Sequence, residues 1–131
     1  MPLARSVLAV AVGGAIGTAA RALLEACIAD WWALLAVNVL GCALLGVSVA
    51  ALAGAPDWLR HGIGAGLLGG FTTFSAIAVA SVAAGATGGG WPALVPALPG
   101  IAIALGMLVS CLLAAWGGLA LGRRLARARA A

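Results

Sequence analysis

The sequence predicts an all-α membrane protein of four transmembrane helices, the third of them broken in mid-membrane. Composition is the first observation behind this. Of 131 residues, 65% are hydrophobic and 8% are charged, and the mean hydropathy is +1.21. Water-soluble domains do not have this composition. The second observation is the length of the charge-free stretches, since a helix needs about 20 mostly apolar residues to cross a bilayer. The third is the run Gly69-Gly70-Phe71-Thr72-Thr73-Phe74-Ser75 near the middle of the third stretch. Adjacent glycines, three hydroxyls and two aromatic rings make a poor lipid anchor. They suit a helix that breaks and exposes backbone dipoles, which survives at that depth only under protein cover or beside a water-filled cavity.

The first span covers about residues 6–27, because Ser6 to Leu24 is interrupted only by Arg21. A cleaved signal peptide is the competing reading. Gly13, Gly14, Gly17 and Arg21 inside the segment favour a retained span. The second span covers about 33–54, within a charge-free stretch from Trp31 to Pro56. Gly62 to Gly122 also lacks charge and is too long for one crossing. The turn-forming run Gly85-Ala86-Thr87-Gly88-Gly89-Gly90-Trp91-Pro92 divides it into spans of about 61–84 and 97–120. The connections are short, so residues 1–131 form a single four-span domain.

All seven basic side chains are arginines. With four spans, the two termini and the second loop share one side, which holds Arg5, Arg60, Arg123, Arg124, Arg127 and Arg129. The opposite loops hold only Glu25 and Asp30. By the positive-inside rule both termini are cytoplasmic, in the plasma (inner) membrane. The basic tail directly follows a span, so it is read as a membrane-lipid anchor and not as a nucleic-acid patch.

Gly13/Gly17 and Gly66/Gly70 are GxxxG pairs, and Gly41 to Gly46 forms a related small-residue face; both favour close helix packing. A four-span chain is thin for a pore, so a dimer is expected. Arg21 within span one needs a vestibule, a route to the interface or a partner. Asn38 offers two amide donors and one acceptor. Thr72, Thr73 and Ser75 carry hydroxyls that can also bond to carbonyls one turn earlier. The isolated Cys27, Cys42 and Cys111 lack CxxC spacing and read as small packing residues. There is no nucleophile–base pair, metal-ligand cluster or phosphate loop, so the chain is not expected to be an enzyme. A proton-coupled exporter of cationic drugs, the alternative reading, needs a carboxylate at depth, and the spans hold none beyond Glu25 at the end of span one. N–H and O–H donors with the positive edges of Phe71 and Phe74 suit a small anion. Broken-helix carbonyls suit a small cation.

These residues carry a resemblance that covers nearly the whole chain. Gly13-Gly14-Ala15-Ile16-Gly17-Thr18-Ala19-Ala20-Arg21, Asn38-Val39-Leu40-Gly41 and Gly69 to Ser75 occur in the order and spacing of the Fluc (CrcB) fluoride channels. The resemblance implies an antiparallel dimer that conducts fluoride passively and selectively and lowers cytoplasmic fluoride. It implies a structural sodium ion at the dimer centre, held by the backbone carbonyls of Gly69 and Thr72. It implies a fluoride path along Asn38, Thr73, Phe74 and Ser75, with Arg21 at a vestibule.

The chain departs from the family where it reads Ala76, Ile77, Ala78 and Ala80, in place of hydroxyls, a second phenylalanine and an acid. Ile77 has no ring edge and the alanines donate no side-chain hydrogen bond. An antiparallel homodimer also requires one sequence to insert both ways, which the one-sided arginines oppose. The expected assembly is therefore a heterodimer with a homologous subunit of opposite charge bias.

Overall fold

The computed structural model describes residues 2–28, 31–75, 78, 79, 82 and 94–130. Helix α1 spans Pro2–Cys27 and α2 spans Trp31–Ala51. Helix α3 is composite. It is α-helical over Asp57–His61, widens into a π-helix over Gly62–Leu68, and returns to α geometry over Gly69–Phe71. Helix α4 spans Leu94–Ala130. The described residues contain no strand.

Among the described residues, three stretches are long and apolar enough to cross a membrane: Leu3–Cys27, Trp32–Ala51 and Gly100–Ala128. The stretch expected at 61–84 is described only in part, and within it α3 ends at Phe71. The Gly85 to Pro92 turn, together with Ala76, Ile77 and Ala80, lies outside the described residues. Most boundaries differ from expectation by two to four residues, α2 covering Trp31–Ala51 against 33–54 and α4 starting at Leu94 against 97, and two differences bear on the fold. Helix α1 begins at Pro2, several residues before position 6. Helix α4 continues to Ala130, beyond position 120, because arginine and alanine are both strong helix formers. Its 37 residues give a rod about 55 Å long, against a hydrocarbon core of about 30 Å. Arg123, Arg124 and Arg127 stand exposed on the excess length.

Large apolar side chains point outward, among them Leu8, Leu23, Leu112, Leu113 and Trp116, and no large side chain is fully buried among the described residues. Such a surface fits lipid, where helices gain little by hiding leucine and associate through close backbone packing. Glycine supplies that packing. A Cβ on Gly17 would collide with the Leu67 carbonyl, and one on Gly70 would lie 2.6 Å from the Gly14 carbonyl. The GxxxG pairs of α1 and α3 therefore face each other. On the other seam, Gly46 meets the Ala115 carbonyl and Gly118 meets the Ala43 carbonyl.

These contacts also give direction. Ala9, Val10 and Gly14 meet Gly62, Gly66 and Gly70 in order, so α1 and α3 run parallel. Ala43 and Val47 meet Gly118 and Gly122, so α2 and α4 run parallel. Leu45 meets Gly64, Gly41 meets Thr72 and Asn38 meets Thr73, so α2 and α3 run antiparallel. The end of α3 thus lies between α1 and α2.

Candidate functional site

Helix α3 ends because Thr72 turns extended, with φ −82° and ψ 151°. Gly69 and Gly70 favour a helix weakly, and Thr72 and Thr73 are β-branched. Helical geometry resumes at Ser75, and the Ala78 amide donates to the Phe74 carbonyl at 3.0 Å. A broken helix frees backbone groups that need partners, and side chains from α1 and α2 supply several of them.

The Thr72 amide and hydroxyl both donate to the Leu68 carbonyl at 3.0 Å, closing the last turn. The next amide leaves the helical ladder. In a continuous helix the Thr73 N–H would donate to the Gly69 carbonyl. Here it donates to Asn38 Oδ1 at 2.8 Å, in a buried bond. Asn38 is itself fixed, since its Nδ2 donates to the Leu34 carbonyl one turn back at 2.8 Å. Asn38 and Thr73 are the buried polar side chains among the described residues. Gly41 permits this approach, because the Thr72 methyl group and the Phe71 ring fill the space its Cβ would occupy.

On the α1 side, Arg21 Nε and Thr18 Oγ1 both donate to the Gly70 carbonyl at 3.4 Å. Arg21 also pairs with Glu25 at 3.4 Å, one turn along α1. The arginine therefore has partners, and it braces the end of α3 from the side opposite Asn38. Ser48 and Ser110 bond back to the Leu45 and Gly106 carbonyls, each at 2.8 Å, so both hydroxyls are occupied within their own helices.

A cavity of about 190 Å³ opens where α2, the α3 break and α4 meet. Asn38, Thr72 and Thr73 give it a polar wall, and the Phe74 ring gives it an edge. Cys42, Met107, Leu108 and Cys111 close the remainder. Ser75 stands next to this wall, its hydroxyl 3.1 Å from that of Thr73. Gly69 and Arg21 lie outside the cavity lining. A larger hollow, about 450 Å³, lies among Arg5, Leu8, Ala9, Val12 and Trp58. Its wall is almost wholly apolar, so it offers a lipid tail a groove and an ion nothing.

Reasoning from the sequence missed the sulfur side of the polar cavity. Cys42 and Cys111, read as isolated packing residues, line one cavity from α2 and α4. No signal along the chain announces this, because it depends on the register between α2 and α4.

Long apolar helices, an outward apolar surface and a polar break beside a cavity define a multi-pass membrane protein. Residues 8–119 match the family model described as CrcB-like protein, Camphor Resistance (CrcB). The chain is 44% identical over 110 residues to "Fluoride-specific ion channel FluC 1" of Rhodococcus jostii, covering 81% of this chain and 86% of that one. It is 36% identical over 128 residues to "Fluoride-specific ion channel FluC" of Stutzerimonas stutzeri, covering 91% and 98%. It is 53% identical over 77 residues to "Fluoride-specific ion channel FluC 2" of Thermobifida fusca, a match spanning 52% of this chain and 56% of the relative. The chain belongs to the CrcB family, whose members are ion channels and not enzymes.

Proposed function

We propose that this chain is a subunit of a fluoride-selective channel that lets fluoride leave the cytoplasm passively. The Asn38–Thr73 bond carries the reading, because it holds the α3 break open beside a cavity with amide, hydroxyl and ring-edge groups. Asn38 uses its oxygen and one N–H in positioning. Its second N–H is the donor available to an anion. The Phe74 ring edge adds weak attraction, and the Thr73–Ser75 hydroxyl pair continues the polar track. Arg21 stands at a vestibule, drawing anions toward the break. In vesicles loaded with potassium fluoride, valinomycin should release fluoride at a rate independent of any proton gradient. Cation exchange driven by such a gradient, with no fluoride release, would instead support the exporter.

Four crossings with cytoplasmic termini are part of the proposal. The alternating directions of α1, α2 and α3, with α4 parallel to α2, support them, as do the one-sided arginines. The same reading sets the α3 break in mid-membrane. A dimer follows from exposure. Phe74 is 68% exposed in the single chain, and irregular backbone cannot face lipid uncovered. The partner is antiparallel and homologous, with the opposite charge bias. The numbered names FluC 1 and FluC 2 among the relatives are consistent with paired paralogues. Fluoride release by this chain expressed alone, inserted in both orientations, would overturn the heterodimer.

A structural sodium ion at the dimer centre fits the groups present. Sodium is a hard cation suited to carbonyl oxygens, and the break offers them. The Gly69 carbonyl has lost the Thr73 amide to Asn38, and extended Thr72 turns its carbonyl out of the helical ladder. Bound there, the ion would supply a fixed positive charge to the dimer seam. Exchanging sodium for N-methylglucamine should weaken dimerisation in detergent at least tenfold, measured by subunit dilution. Dimerisation unchanged without sodium would remove the ion from the proposal.

A further inference from the structure

We propose that Cys42, Met107 and Cys111 form a binding site for a soft monovalent d¹⁰ metal ion, of which copper(I) and silver(I) are the type. The three side chains come from two helices and line one cavity of about 190 Å³. Met107 and Cys111 are one turn apart on α4, so they share a face. Cys42 lines the same cavity from α2. Met107 is buried, so its thioether sits in the protein and not in lipid. The two helices are held at this spacing one turn further on, where Gly46 meets the Ala115 carbonyl. Cys42 and Cys111 each lie four residues before those positions, so the locked seam fixes their approach.

The donor set determines the metal class. Two thiols and a thioether are soft ligands that favour copper(I) and its congeners over hard divalent ions. No group of three or more His, Cys, Asp or Glu side chains gathers among the described residues, and only the thioether brings this set to three. Binding involves no redox change. Each thiol gives up its proton as its sulfur bonds the metal, and the Met107 sulfur donates a lone pair. One monovalent cation and two thiolates make a complex with a net charge of minus one, and two protons are released.

The site shares its cavity with Asn38, Thr73 and Phe74. Resting on the fluoride reading above, the bound complex both fills the path and repels the anion. The metal therefore acts as a blocker of the channel.

The test uses silver nitrate in chloride-free buffer on the whole chain with its partner subunit. All proteins carry Cys27→Ala, which removes the exposed thiol at the end of α1. Native mass spectrometry should show one silver per copy of this chain, with a new ultraviolet thiolate-to-metal band. C42S/C111S should lose both signals, and M107L should bind at least tenfold more weakly. Prior alkylation of the thiols with N-ethylmaleimide should also abolish binding, and it needs no variant to fold. In vesicles, one equivalent of silver should lower fluoride release at least tenfold, with dithiothreitol restoring it. Equal silver uptake by C42S/C111S or by alkylated protein would overturn the site. Full fluoride release with silver bound would overturn the block. Vesicles that release no fluoride before silver is added would count against the channel reading, while mass and absorbance still decide the metal site.

Discussion

Asn38→Asp is expected to fold and to release fluoride about 100-fold more slowly than the unaltered protein at neutral pH. The carboxylate keeps an oxygen for the Thr73 N–H, the buried 2.8 Å bond that positions the break. It loses the amide donors and adds a negative charge to the cavity wall. Two like charges about 6 Å apart, at an effective dielectric of about 20, repel by about 3 kcal/mol. That is about 100-fold in rate, at about 1.4 kcal/mol per decade. Asn38→Leu separates the two roles. It removes the acceptor of the buried Thr73 N–H as well, a loss of about 1–3 kcal/mol. The leucine variant should therefore lose both stability and conduction, and the aspartate variant chiefly conduction. Fluoride release within twofold of the original in the aspartate variant would remove Asn38 from the path.

Gly17→Leu should prevent assembly of the fold. Even the first carbon of a side chain at that position would overlap the Leu67 carbonyl, and the Phe71 backbone nitrogen lies 2.9 Å away. Both obstacles are backbone, so no rotamer change relieves them. Helix α1 must move away from α3, which strips Arg21 and Thr18 from the Gly70 carbonyl. Overpacking a tight core costs about 1–3 kcal/mol, and the expected loss is at least the upper figure. Gly106 and Gly117 provide the contrast, because a Cβ at either meets nothing within 4 Å. Leucine at those positions should leave the unfolding midpoint in a denaturant titration nearly unchanged. A Gly17 variant as stable as the Gly117 variant would show that the α1–α3 seam is looser than its contacts indicate.

Much of this was legible in the sequence because it rests on local chemistry. Charge-free length revealed α1, α2 and α4, and the GxxxG pairs revealed a close seam. The glycines and threonines at 69–73 marked where α3 stops. The use made of Asn38 was less legible. Its amide offered donors and an acceptor, but not which partner each would take: the oxygen holds the Thr73 N–H and one N–H holds the Leu34 carbonyl. That choice depends on antiparallel register between α2 and α3, which no single segment encodes. Arg21 was similar: its need for a partner could be read, but not the Gly70 carbonyl that satisfies it. The sulfur cluster was invisible for the same reason, since Cys42 and Cys111 lie 69 positions apart in the chain.

The π-helical stretch Gly62–Leu68 has a consequence beyond packing. In it each backbone bond reaches five residues back, as from the Gly69 amide to the Gly64 carbonyl, so it stores an extra residue relative to an α-helix. One residue is about 100° of rotation about the helix axis. The stretch therefore sets the angular phase of everything after it, like a shim under a bearing. Forcing that stretch into α geometry at constant length would release the stored residue and turn Thr73 about 100° away from Asn38, without altering any polar group. The polar break thus depends on an apolar stretch for its aim.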